Sequence, residues 1–305
     1  MKNKIQDCII IGMGPAGITA AIYLSRLNIK PLCIEEKGLA SKLSSIPLIQ
    51  NYPGFVGKGN DLAQLFTKQV EDNNISIYKS RVSTIQKDEE NFRVQCEDGI
   101  FYSKSVLVTA GIRPNPLIIP GGNKYSFRGI SRCAVCDGPL YRNKDIAVHG
   151  DKSTAIQESL YLADICHTLY FICPEKSISA PSELVKELES KDNVKIIYEG
   201  TIVGSIGSRS IEEIQVKCKN DTMSLSVRGL FLYTGEANNA TFLPFPEVFD
   251  NRNFIIVDEN KSTPISGLFA AGDVTITPLR QIVTACGDGA IAAFSIKQYL
   301  KTRRL

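Results

Sequence analysis

Two cysteines separated by two residues, Cys133-Ala-Val-Cys136, carry the clearest chemical signal in this sequence of 305 residues. That spacing brings two sulfurs close enough to close a small disulfide ring. The adjacent acid, Asp137, is placed to donate or accept a proton during thiol exchange. The same spacing is also half of a zinc site, which needs a second ligand pair. The sequence has two histidines, His149 and His167, and no second Cys-x-x-Cys, so no metal is expected. The other seven cysteines are Cys8, Cys33, Cys96, Cys166, Cys173, Cys218 and Cys286. They lie in apolar or strand-like surroundings and read as buried structural thiols.

A second signal is the glycine loop Gly12-Met-Gly-Pro-Ala-Gly17, which follows the apolar run Asp7-Cys-Ile-Ile-Ile and opens a helical pattern, Ile18 to Leu24. In a dinucleotide fingerprint the first glycine permits a tight turn. The second lets the backbone approach a pyrophosphate, and the third lets helix and strand pack closely. The helix N-terminus then offers N–H donors and a partial positive charge to phosphate. Glu35 ends the next apolar strand, where a carboxylate accepts from ribose hydroxyls. Strand, loop, helix and acid in that order predict a nucleotide site.

The elements that must position these residues repeat one plan. Asp145-Ile-Ala-Val-His, the loop Gly150-Asp-Lys-Ser-Thr-Ala155 and the helical pattern Ile156 to Ala163 form a second βαβ unit, continued by the strand His167 to Cys173. Its apolar register is kept at Ile146, Val148, Ile156, Leu160 and Leu162. The Pro-containing stretch Ile112-Arg-Pro-Asn-Pro116 marks a crossover between domains. A closing helix is expected from Gly287 to about Lys301. The predicted fold is α/β, with two Rossmann-like, three-layer domains, the second inserted in the first. Residues 1–113 and 241–305 form the discontinuous nucleotide domain, and residues 114–240 the inserted domain with the dithiol.

Apolar residues at 43% and charged residues at 22% suit a soluble globular chain, and a formal charge of +3 gives no reason to expect nucleic acid. The longest apolar stretch, Cys8 toward Leu24, is broken by Gly12, Gly14, Pro15 and Gly17, so no membrane span is expected. With no signal-peptide pattern at the start, the expected location is cytoplasmic.

Along nearly its whole length the chain resembles the bacterial low-molecular-weight thioredoxin reductases. The matching pieces are Gly12-Met-Gly-Pro-Ala-Gly17, Asn51-Tyr-Pro-Gly54, Cys133-Ala-Val-Cys-Asp-Gly138, Ala271-Gly-Asp-Val274 and Arg280-Gln281. The resemblance implies a homodimer that binds FAD and reduces thioredoxin. It implies a FAD site formed by Gly12, Gly14, Pro15, Ala16, Gly17, Glu35, Glu36, Lys42, Leu43, Asn51, Val82, Ala110, Gly111, Gly272, Asp273, Arg280, Gln281 and Ile282. It implies catalysis by Cys133, Cys136 and Asp137, with Cys136 nearest the flavin and Asp137 handling the proton.

The sequence departs from that family at two places. Where NADPH-dependent members carry a glycine-rich loop and then a His-Arg-Arg segment, this chain has Asp151 and Lys152, and then Cys173-Pro-Glu-Lys-Ser-Ile-Ser179. The second glycine is replaced by Lys152, and Glu175 repels a phosphate where an arginine would fork to it. Where the family usually has Gly-Gly-Gln-Leu near the flavin, this chain has Ala40-Ser-Lys-Leu43, which sets a cation, Lys42, beside the flavin or toward solvent. With the nicotinamide site broken, the chain resembles most the ferredoxin-linked, pyridine-nucleotide-independent thioredoxin reductases of clostridia. The expected activity is transfer of electrons from reduced ferredoxin through FAD to the Cys133–Cys136 disulfide and on to thioredoxin. A dithiol oxidase using FAD and oxygen, and a degenerate NADPH-dependent thioredoxin reductase, are the alternatives.

Overall fold

Five parallel strands form the centre of the first unit, in the order Leu268–Ala270, Val106–Val108, Ile9–Ile11, Leu32–Glu35 and Ser76–Lys79. A computed structural model describes residues 5–114, 119–126, 128–219 and 221–303. Ile9–Ile11 is buried at every residue because the sheet is covered on both faces, so the strand reads as an unbroken apolar run. Cys8 and Ile10 pack toward the helices Pro15–Arg26, Gly59–Asp72 and Ile282–Thr302. Ile9 and Ile11 pack toward a second, four-stranded sheet through Val82, Ile85, Phe92 and Val94. Helices, parallel sheet and mixed sheet make three layers.

The second unit repeats the arrangement. Its parallel sheet runs Ile130–Ser131, Gly229–Tyr233, Asp145–Gly150, Thr168–Ile172 and Val194–Ile197. Ile146 and Val148 face the helices Ser153–Ala163 and Ser182–Glu189. Ala147 faces the antiparallel strands Gly200–Ile206, Glu213–Cys218 and Asp221–Ser226. Both units are thus α/β with a dinucleotide-binding plan, as the repeated βαβ pattern predicts.

By contact the chain divides into Met1–Arg113 with Glu236–Leu305, and Pro114–Gly235. The return crossing lies at Gly235, ahead of the residue 241 set above, because the strand Glu236–Asn238 pairs with Ile112–Pro114. Asn115 and Pro116 of the crossover segment lie outside the described residues. The last helix differs from expectation. It begins at Ile282, not Gly287, and runs to Thr302. Gln281 caps it with a reciprocal capping box to Thr284, which fixes the earlier start.

Candidate functional site

The glycine loop at residues 12–17 is built by contacts that exclude side chains. A Cβ on Gly12 would lie 2.7 Å from the Thr109 carbonyl oxygen, and one on Gly17 would fall on the Gly12 carbonyl oxygen. At Gly14 a Cβ would meet nothing, so open space faces the backbone where the fingerprint expects a pyrophosphate. The helix Pro15–Arg26 has no side-chain cap at Gly14, and Pro15 occupies its first turn, so its early N–H groups are left for a ligand. Glu35 accepts from the Met13 N–H at 2.7 Å and from the Lys37 N–H at 2.8 Å, which ties the acid to the loop.

Other segments lie against this loop or against one another beside it. Ala110 and Gly111 end the strand beside Gly12, and Asn239 holds the Ala110 carbonyl at 2.9 Å. Gly272 has φ +79°, and a Cβ there would lie 3.0 Å from Cβ of Ala16. Its N–H donates to Asp288 at 3.2 Å. Lys42, 65% exposed, reaches Asp273 at 3.7 Å, while Leu43 is buried. The amide of Asn51 donates to Gln281 at 2.9 Å, linking the Tyr-Pro-Gly hairpin to the start of the last helix at Ile282. Arg280 packs its guanidinium 4.3 Å from the centre of the Phe254 ring and donates to the Asp273 carbonyl at 3.3 Å. Glu36 is exposed, and Val82 has its side chain in the core beside Ile34, which leaves only its backbone for a ligand. Thr109 and Asp288 carry no motif of their own in the sequence. Thr109 donates to the Gly12 carbonyl at 2.7 Å, and Asp288 pairs with Lys261 at 2.7 Å while holding Gly272.

In the second unit Cys133 and Cys136 form a disulfide with Cα atoms 5.3 Å apart. The strand Ile130–Ser131 delivers the chain into a single helical turn, Ala134–Asp137, with Cys133 at its N-cap. The Cys136 N–H donates to the Cys133 sulfur at 3.1 Å, a contact that favours negative charge on that sulfur. Asp137 accepts from the Ser131 hydroxyl at 2.6 Å. Burial pushes the Tyr141 hydroxyl up to about 12, and the Asp137 charge adds to that shift.

Residues 6–289 match the family model described as pyridine nucleotide-disulphide oxidoreductase. A thioredoxin reductase of Helicobacter pylori is 33% identical over 97% of this chain and 99% of its own. The crystal structure of a Streptococcus pyogenes thioredoxin reductase superposes with a TM-score of 0.92 at 31% identity, over 99% of this chain and 100% of that one. The chain belongs to the thioredoxin reductases. Enzymes of this family are FAD flavoproteins, and the open backbone at Gly14, the uncapped helix and Glu35 fit that cofactor. A ferredoxin-flavin thioredoxin reductase of Clostridium acetobutylicum is also similar in structure, with a TM-score of 0.53 and 28% identity over 97% of this chain and 98% of that one.

This thioredoxin reductase keeps the second glycine loop only in part. A Cβ on Gly150 would lie 2.6 Å from Cβ of Ala155, so the first glycine still serves close packing. Lys152, exposed and extended, stands at the N-cap of the helix Ser153–Ala163. The Asp151 carbonyl accepts the Ser179 N–H at 2.7 Å. Glu175 and Lys176 are both exposed.

Proposed function

We infer that this thioredoxin reductase takes its electrons from reduced ferredoxin and not from NAD(P)H. The observation that carries the reading is Lys152. A pyrophosphate approaches the backbone at the second position of such a loop, where glycine is needed, and this chain has a lysine there, at the helix N-cap, preceded by the acidic Asp151. Glu175 adds a second negative charge where a 2′-phosphate would need an arginine. The likeness to a protein named a ferredoxin-flavin thioredoxin reductase supports it. A degenerate NADPH site is the second reading, favoured by the retained packing at Gly150 and by the many relatives named simply thioredoxin reductase.

FAD, when bound, would supply the electron pair that opens the disulfide. The protein would supply the acceptor and the proton: Cys136 would be the sulfur reduced first, Cys133 the leaving thiolate that the Cys136 N–H stabilises, and Asp137 the source of a proton for sulfur. Disulfide, two electrons and two protons give two thiols, which then reduce thioredoxin. The same reading carries a cytoplasmic homodimer. It is tested anaerobically by mixing the yellow protein with reduced ferredoxin, NADPH or NADH and following flavin absorbance. Bleaching by ferredoxin alone is expected. Rapid bleaching by NADPH sinks the reading, and oxygen uptake driven by a small dithiol would mark an oxidase.

A further inference from the structure

We propose that Ser131 is a positioning residue of the redox turn, aiming Asp137 at sulfur and fixing the backbone at Cys133 through one hydroxyl. The proposal rests on the reading of Asp137 as the proton carrier. Ser131 ends the strand Ile130–Ser131, where it pairs in register with Phe231, and is 5% exposed. Its Oγ accepts the Cys133 N–H at 3.2 Å and donates its single proton to Asp137 Oδ2 at 2.6 Å. The Cys133 carbonyl, 3.4 Å from the same oxygen, is the weaker of the two possible acceptors, and it accepts the Asp137 N–H at 3.1 Å instead. Asp137 is therefore held twice, by its backbone on Cys133 and by one carboxylate oxygen on Ser131. A free aspartate samples several rotamers, and this pair of bonds selects one. The pairing of Ser131 with Phe231 in the sheet fixes the position from which it holds the acid.

The acid so held serves thiol exchange with the substrate disulfide. One thiol of the reduced turn gives its proton to Asp137, and the resulting thiolate attacks the substrate disulfide. A mixed disulfide forms, and the leaving sulfur takes the proton back from Asp137. The second thiol then attacks the mixed disulfide, closing the Cys133–Cys136 bond and releasing the second substrate thiol with the second proton. Two electrons and two protons pass to the substrate.

The test is a single turnover that is independent of the electron donor. The full FAD-loaded chain is reduced with stoichiometric dithionite, mixed anaerobically with oxidised thioredoxin, quenched with a maleimide, and the thioredoxin thiols are counted. Because general acid–base catalysis is worth 10² to 10⁴ and positioning is one part of it, Ser131→Ala is expected to slow the turnover by about tenfold. Ser131→Thr, which restores a hydroxyl, should recover most of the rate. In an Asp137→Asn background Ser131→Ala should give no further slowing. Equal slowing in both backgrounds, or a Ser131→Ala rate equal to that of the parent, overturns the proposal. Asp137→Asn at the parent rate overturns the proton reading itself. If the alanine variant fails to fold, Ser131→Cys keeps the shape with a weak donor and is expected to slow turnover in the same way.

Discussion

Nine cysteines are present in this chain, and burial sets Cys8, Cys33, Cys96, Cys166 and Cys173 apart from the dithiol, whereas Cys218 and Cys286, expected to be buried too, are only partly covered. Loss of solvation pushes the Cys8 thiol up to about 12, with the nearby Asp7 charge adding and Ser105 opposing, and it pushes Cys33 up further. Cys96 and Cys166 are each held at about 11, again mainly by burial. None of these four is a thiolate at neutral pH, so none is a nucleophile. Cys136→Ser is expected to abolish thioredoxin reduction and to leave the flavin spectrum intact, whereas Cys8→Ala should leave turnover near the parent rate. Turnover with thioredoxin and the visible spectrum of each variant check this, and a working Cys136→Ser enzyme would remove the dithiol from the mechanism. The dithiol is legible because its spacing is itself the chemistry. Ser131 and Thr109 are not, because each acts through one hydroxyl on a neighbour brought close only by the fold.

Elements show the same contrast. The two βαβ units are readable because glycine spacing and apolar period change together at the strand–helix junctions. The start of the last helix is not. Gly287, expected to open the helix, lies inside Ile282–Thr302, and so does Gly289. A Cβ at Gly289 would fall on the Ala16 carbonyl oxygen of the first helix, so the glycine is there to let the two helices touch. Alanine is favoured over glycine inside an isolated helix by about 1 kcal/mol. Gly289→Ala should nonetheless lower the thermal midpoint, because the backbone of Ala16 has no side-chain freedom with which to yield. Ala16 lies in the first turn of the helix whose N-terminus is open to a pyrophosphate, so FAD affinity should fall with it. Differential scanning calorimetry and flavin titration of the apoprotein read the two effects, and a higher Tm with unchanged FAD affinity would mean that the helices part without cost. Gly287, whose Cβ would meet nothing, is the control: alanine there should raise stability.

For the whole molecule, the insertion of one nucleotide-type unit in another is visible in the sequence as a plan used twice, while the exact return point depends on the pairing of two short strands that carry no pattern of their own. Stability as a function of pH is a further property of the whole, and a residue of the inserted unit governs part of it. His149 is 6% exposed, beside Ile172 and Leu232 in the sheet register, and its Nδ1 has no hydrogen-bond partner among the described residues. Burial holds its imidazole below the ordinary 6.5, with Asp151 pulling the other way. A depressed histidine binds its proton more readily in the unfolded chain. The stability it allows is present above pH 6.5 and is lost as pH falls toward the lower folded value. Glu158 has the opposite sign. Burial raises its carboxyl above the ordinary 4.5, against bonds from Tyr233 and Ala134, so it favours the fold at lower pH. His149→Val should therefore flatten the fall in Tm between about pH 7 and pH 5. Removing an unpaired buried polar atom should also add about 1–2 kcal/mol at neutral pH. Thermal melts of the holoenzyme across that range, with Glu158→Gln alongside, decide it: parallel curves for parent and His149→Val would mean that the buried imidazole finds a partner in solution and contributes nothing to the acid limb.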